Sequence, residues 1–265
     1  MTQAISLNPE MIKALSTSFP LLSAPATSWG NVLSNHLLLR HLRGYWPMTS
    51  VDENGDVYDL SGQGRVLNNN NAVPFVSAGL MTYADLTAAT PHYFNRVDEA
   101  GLDILGGLTL GGWFWLDTLA TGQSQGLISK WDTSGGANQR AFLLYLDDAT
   151  NTLRFFISSL GTAASSVSVT STATIAINSW YYVVGRFVPG TEISIFVNGV
   201  ETVVAAAIPA ALFNSSADLE VGSYNIATNP MDGRASHCFL CADDLEDYFI
   251  KALFWHSCPL VGVKP

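Results

Sequence analysis

Residues 180–201 read WYYVVGRFVPGTEISIFVNGVE, and their pattern decides the fold class. A run of aromatic and β-branched residues reaches Pro189-Gly190, a strictly alternating run follows, and Asn198-Gly199 closes it. In the second run Ile193, Ile195 and Val197 fall on one face, and Glu192, Ser194 and Phe196 on the other. That period of two is the mark of a strand with one buried face. Asn-Gly tolerates the positive φ angles of a tight hairpin turn, so the chain is expected to fold straight back into residues 200–204.

Strand-like runs recur from Leu108 onward at the short spacing of a β-sandwich. LTLGGWFWLD, residues 108–117, is apolar on both faces and reads as a central strand covered on both sides. Residues 158–174 are rich in Ser, Thr and Ala, with Val167 and Val169 alternating, as in an edge strand with a solvated outer face. The expected fold is all-β: a two-sheet antiparallel sandwich.

These runs, in this order, carry a family resemblance: the 180–201 hairpin, GLTLGGWFWLD from Gly107, GLISKWD from Gly126, AFLLYLDDATNTLRFFIS from Ala141, LEVGSY from Leu219, and MDGRASHCFLCADDLEDYFIKALF from Met231. The chain resembles the laminin-G-like, concanavalin A-like jelly rolls, whose closing strand is followed by a short helix. The resemblance covers roughly residues 44–255 and implies a jelly-roll domain there, followed by a tail at 256–265. It also implies calcium, held by an acidic loop ending in an Asp-Ser-Gly-type turn, matched here by Asp59-Leu60-Ser61-Gly62. Asp52, Asp56, Asp59 and Asp232 are the candidate ligands. Turn chemistry explains the same loop, since Asn-Gly and Asp are good turn residues, and an EF-hand reading fails because Val57 and Gln63 stand where Gly and Glu are required. Where the family places an acidic pair after the Gly233 position, this chain has Arg234-Ala235-Ser236-His237.

Residues 1–43 differ from the rest and read as a helical arm. Asn8-Pro9-Glu10 is a helix start, and Ser28 can cap a second helix running through about Leu42 and ending at Gly44. Trp29, Val32, Leu33, Leu37 and Leu38 are spread around that helix axis, so it needs burial on several sides. Either a neighbouring subunit or the chain's own sandwich covers it.

Composition excludes several classes of function. Twelve Lys plus Arg stand against 22 Asp plus Glu, a net charge of −10, which is the wrong sign for neutralising phosphates and argues against nucleic acid. The most apolar run, from Val203, is short and broken by Pro209, so no membrane span is expected. Cys238, Cys241 and Cys258 are too few, and odd in number, for a disulfide framework, and read as small buried hydrophobes. A zinc site drawing on them with His237 and His256 lacks the turn that such sites use.

Glucanases on the concanavalin A-like scaffold need carboxylates at alternate positions of one strand. The expected ExDxE pattern is absent from the sequence, as is HExxH, and no enzyme is expected. Trp113 and Trp131 read either as core or as an aromatic platform for sugar. Two functions remain. One is a virion-associated structural module, such as a phage capsid decoration or tail protein, assembled with other subunits as a homo-oligomer through the arm. The other is an extracellular, calcium-assisted lectin-like domain that binds surface glycan.

Overall fold

The computed structural model describes residues 41–119 and 122–263. In chain order the strands are β1 (Leu42–Trp46), β2 (Asn68–Asn70), β3 (Phe75–Ala78), β4 (Met81–Leu86), β5 (Tyr93–Arg96), β6 (Leu108–Leu116), β7 (Gln125–Asp132) and β8 (Gln139–Asp147). They continue with β9 (Thr152–Gly161), β10 (Ser166–Thr170), β11 (Trp180–Val188), β12 (Glu192–Val197), β13 (Val200–Val204), β14 (Leu219–Val221) and β15 (Gly233–Cys241), and helix α1 (Asp247–Ser257) follows. One sheet has the order β13-β12-β11-β6-β15-β4-β3, with β1 also paired to β15; the other has the order β10-β9-β8-β7-β14-β5-β2. The strands pair antiparallel throughout, giving the expected two-sheet sandwich.

The hairpin at 180–204 forms as its sequence requires. Asn198 and Gly199 both take positive φ, 50° and 77°, and the chain returns with Val197 opposite Val200. Ile193, Ile195 and Val197 face the other sheet and join the main core beside Phe155, Phe187 and Leu110. The residues of alternate parity do not face water. Phe196, Val184, Tyr182 and Trp113 lie on the outer face of the same sheet, where α1 covers them with Phe249, Ile250, Leu253 and Phe254. This second core explains why β6 and β11 are apolar on both sides. β10 is an edge strand, with Val169 in the core.

Arg186 fixes α1 to the sheet. Its guanidinium, almost wholly buried, meets Asp247 at the start of α1 at 2.5 Å, Glu192 at 2.5 Å and Glu201 at 2.8 Å, and lies over the Phe196 ring. Three carboxylates crowd one cation. Burial, with Asp247 close by, pushes the Glu201 carboxyl up, whereas Arg186 holds that of Asp247 down despite its partial burial.

β15 changes neighbour midway along its length. Its first residues pair with β4 and its last with β1, and the ladder to β6 breaks between Ser236 and Phe239. His237 sits in that irregularity with φ at 52°, and burial pushes its imidazole down to about 4. It is neutral at pH 7.

Two boundaries need correction. The second helix, expected to run through Leu42 and end at Gly44, cannot do so, because Leu42 pairs with Cys241 and Gly44 with Leu240 in β1. The rest of the arm, including Trp29, Val32, Leu33, Leu37 and Leu38, lies outside the described residues. At the other end α1 continues to Ser257, and a 3-10 turn, Cys258–Val261, follows it; Cys258 is buried in the second core, which also contains Trp113 and Tyr182.

Candidate ligand-binding face

α1 covers only part of the outer face of the first sheet. Beyond it, one row of register partners crosses four strands. Trp180 on β11 lies opposite Trp115 on β6, Trp115 opposite Arg234 on β15, and Arg234 opposite Asp85 on β4. Side chains in register on one sheet face are near neighbours, and here they touch. The Trp180 ring meets Trp115 edge-on at 5.8 Å and Tyr83, two residues before Asp85, at 5.7 Å. The Arg234 guanidinium lies 4.6 Å over Trp115 and 5.0 Å over Tyr83, and its Nε is 3.7 Å from Asp85. Trp115 Nε1 donates to Asp117 Oδ1 at 2.8 Å.

Both tryptophans remain half-buried rather than covered. Beside them a groove of about 360 Å³ runs between Tyr83, Trp180, the β3–β4 turn and the 3-10 turn after α1. Leu80, at the tip of the β3–β4 turn, is 79% exposed on its rim. Flat rings beside a guanidinium and two carboxylates make a surface that stacks against apolar C–H faces and hydrogen-bonds hydroxyls at its border.

The residues singled out from sequence behave differently. Trp113 is no platform: it is fully buried under α1, and its Nε1 donates to Ser257 Oγ at 2.9 Å. Trp131 lies on the outer face of the second sheet at 8% exposure, closed over by Phe156 and Arg140 in a cluster with Leu143, Tyr145 and Tyr224. That burial pushes the Tyr145 phenol up to about 12.

The four carboxylates proposed for calcium each accept hydrogen bonds from the chain itself. Asp59 Oδ1 accepts from the amides of Tyr45 and Ser61, and its Oδ2 from Ser61 Oγ and the Arg65 amide. Asp52 Oδ1 accepts from the amides of Asn54 and Asp56, Asp56 Oδ1 from that of Asn69, and Asp232 Oδ1 from that of Ala88. Among the described residues no three His, Cys, Asp or Glu side chains gather as metal ligands do. Asp52 and Asp59 hold local turns, whereas Asp56 and Asp232 tie together segments distant in the chain. Cys238, Cys241 and Cys258 are buried free thiols, with burial pushing Cys241 up to about 12.

One carboxylate pair escaped the sequence search. Asp218 and Glu220 alternate at β14, but both are committed. Asp218 receives Asn95 Nδ2 and the Asp98 amide, and Glu220 receives the amides of Ile226 and Ala227. Asn225, Ile226 and Ala227 are all left-handed, with φ of 61°, 55° and 59°, so the buried Glu220 carboxyl holds a strained turn in place. Burial pushes that carboxyl up to about 7.

The family model described as the concanavalin A-like lectin/glucanases superfamily matches residues 93–237, more than half of the chain. The chain belongs to that superfamily. Among solved structures, this concanavalin A-like chain is similar to the binding domain of paraclostridial mosquitocidal protein 1, with a TM-score of 0.63 at 14% identity, over 82% of this chain and 52% of that one. It is similar to the binding domain of botulinum neurotoxin DC, solved with rat synaptotagmin II, with a TM-score of 0.63 at 12% identity over 82% and 52% of the two chains. A third structure, from work on botulinum neurotoxin type C entry through two ganglioside molecules, gives a TM-score of 0.61 at 12% identity over 82% and 51%. The chain thus spans about half the length of each of these structures, and at such identities the likeness is one of fold. No curated protein matches the sequence.

Proposed function

We propose that the chain is a non-catalytic glycan-binding module that seats a sugar against Trp115 and Trp180, with Arg234 and Asp85 reading its hydroxyls. The observation that carries this is the row Trp180–Trp115–Arg234–Asp85 on a sheet face that α1 leaves open, next to a groove of about 360 Å³. The fold's similarity to toxin binding domains, one titled for gangliosides and one solved with a protein receptor, supports a binding role. Hydrolysis of a glycosidic bond takes two carboxyl groups placed across it. In the row Asp85 is tied to Arg234 and Asp117 to the Trp115 indole, which favours holding over cleaving.

The test is a glycan array followed by calorimetric titration of the sugars retained. Trp115→Ala and Trp180→Ala should each weaken binding about tenfold or more while leaving the circular dichroism spectrum unchanged, since a stacking aromatic contributes of the order of 1 kcal/mol or more. Retained sugars whose affinity is the same in both variants would place recognition elsewhere.

A second reading, assembly as a virion-associated subunit, rests on the apolar residues Trp29, Val32, Leu33, Leu37 and Leu38. In it the same face points outward from a particle, whereas the lectin reading places the chain outside a cell. Native mass spectrometry of the full chain separates them: a homo-oligomer favours assembly, and a monomer at high concentration removes it.

A further inference from the structure

The loop that the sequence offered for calcium builds a different kind of pocket. By accepting from the amides of Tyr45, Ser61 and Arg65, Asp59 ties the 59–65 loop to β1. Trp46 Nε1 reinforces the tie by donating to the Arg65 carbonyl at 2.7 Å. Arg65 is thereby set beside Arg43, and its Nη1 donates to the Arg43 carbonyl at 2.9 Å. Its Nε pairs with Glu99 at 2.7 Å, and Glu99 is held from the other side by Arg96 at 3.2 Å. The Nη2 end lies over Gly101, where a Cβ would come within 1.6 Å of it, so a glycine at 101 is what lets the guanidinium take this position. At 11% side-chain exposure the Arg65 fork is fixed before any ligand arrives.

This fork lines a pocket of about 480 Å³ with Arg43, Gln63, Asp103, Gly106 and Gly107 among its walls. We propose that it is a second binding site, for the carboxylate of a small monoanionic acid such as an acidic sugar. Glu99 takes Nε and the Arg43 carbonyl one Nη1 hydrogen, so the Nη2 end, with the other Nη1 hydrogen, is what grips a carboxylate. Gln63 adds amide donors and the pocket has room for the rest of a small molecule. The carboxylates at its border set the charge limit. Asp103 is 3.8 Å from Lys130, Glu99 is shared by two arginines, and Asp244 lies against Gly107. A second negative charge on the ligand would meet them, so a monoanion is favoured over a dianion. This site stands apart from the aromatic row and does not depend on it.

The experiment titrates the full chain with galacturonate, galactose and sulfate by calorimetry. Galacturonate should bind more tightly than both. Arg65→Lys, which keeps the charge and removes the fork, should weaken galacturonate about tenfold or more. Gly106→Leu should block it, because a Cβ there meets nothing within 4 Å and the substitution adds bulk to the lining without strain. Trp115→Ala should leave it unchanged. The proposal is overturned if galacturonate does not bind, if sulfate, or galactose in the Trp115→Ala variant, binds as well, if Arg65→Lys and Gly106→Leu are both without effect, or if Trp115→Ala alone abolishes the signal.

Discussion

Asp59 shows how one residue can carry the family's signature and a different physical role. Its two oxygens serve four donors at 2.8 to 3.0 Å, so a cation would have to displace hydrogen bonds that hold β1 to the 59–65 loop. Asp59→Asn keeps one acceptor and strands part of that set, and should cost about 1 to 3 kcal/mol in a urea melt. Wild-type melting temperatures in excess calcium and in chelator should coincide, since a cation bound only to the native state would raise the first. Glu220 makes a prediction of opposite sign to an ordinary salt-bridged carboxylate. Its folded pKa of about 7 lies above the usual 4.5, so its contribution to stability is complete below pH 4.5 and is lost as pH rises through 7. The loss is on the order of 2 to 3 kcal/mol, read as the difference between urea melts at pH 4 and pH 8, and Glu220→Gln should flatten it. At this scale the sequence was partly legible. Trp113 and Trp115 share a parity and therefore a face, but which of them is covered depends on Phe254 and Ser257, some 140 positions away in the chain. Arg234 and Asp85 meet only through the register of β15 with β4, which no local pattern states.

Strands with one buried face were legible because alternation and turn residues act locally. Ile195, fully buried between the sheets, should cost about 2 to 5 kcal/mol when truncated to Ala, measured by chemical denaturation. The double-sided apolarity of β6 and β11 could be read as burial but not as burial under a helix, because α1 follows both strands and its docking depends on Arg186. Replacing that arginine removes the cation from among Glu192, Glu201 and Asp247. Arg186→Met should destabilise the fold by about 1 to 3 kcal/mol, since the three carboxylates left without their cation are partly solvated. Arg186→Lys should recover little, since a point charge cannot serve three carboxylates as a fork does. An increase in hydrogen exchange confined to α1 would mean that the helix is released while the sandwich persists. Unchanged exchange in α1 together with unchanged stability would show that the apolar stripe alone holds it.

For the molecule as a whole, the two proposed sites differ in physics, and that difference can be measured without knowing the natural ligand. The chain carries a net charge of −10, so an anion approaching Arg65 is drawn by local charge against a repelling background. Both terms shrink within a Debye length of about 10 Å at 0.1 M salt. A neutral sugar on Trp115 and Trp180 is held by stacking and short hydrogen bonds, which salt hardly screens. Between 20 mM and 300 mM sodium chloride, galacturonate affinity should therefore change severalfold while that of an array-selected neutral glycan stays within twofold, both read by calorimetry. If the two ligands respond alike to salt and compete for the protein, they share one site, and the separation of the aromatic row from the arginine pocket fails. If they respond differently and bind together, the chain holds two chemically distinct contacts on one sandwich.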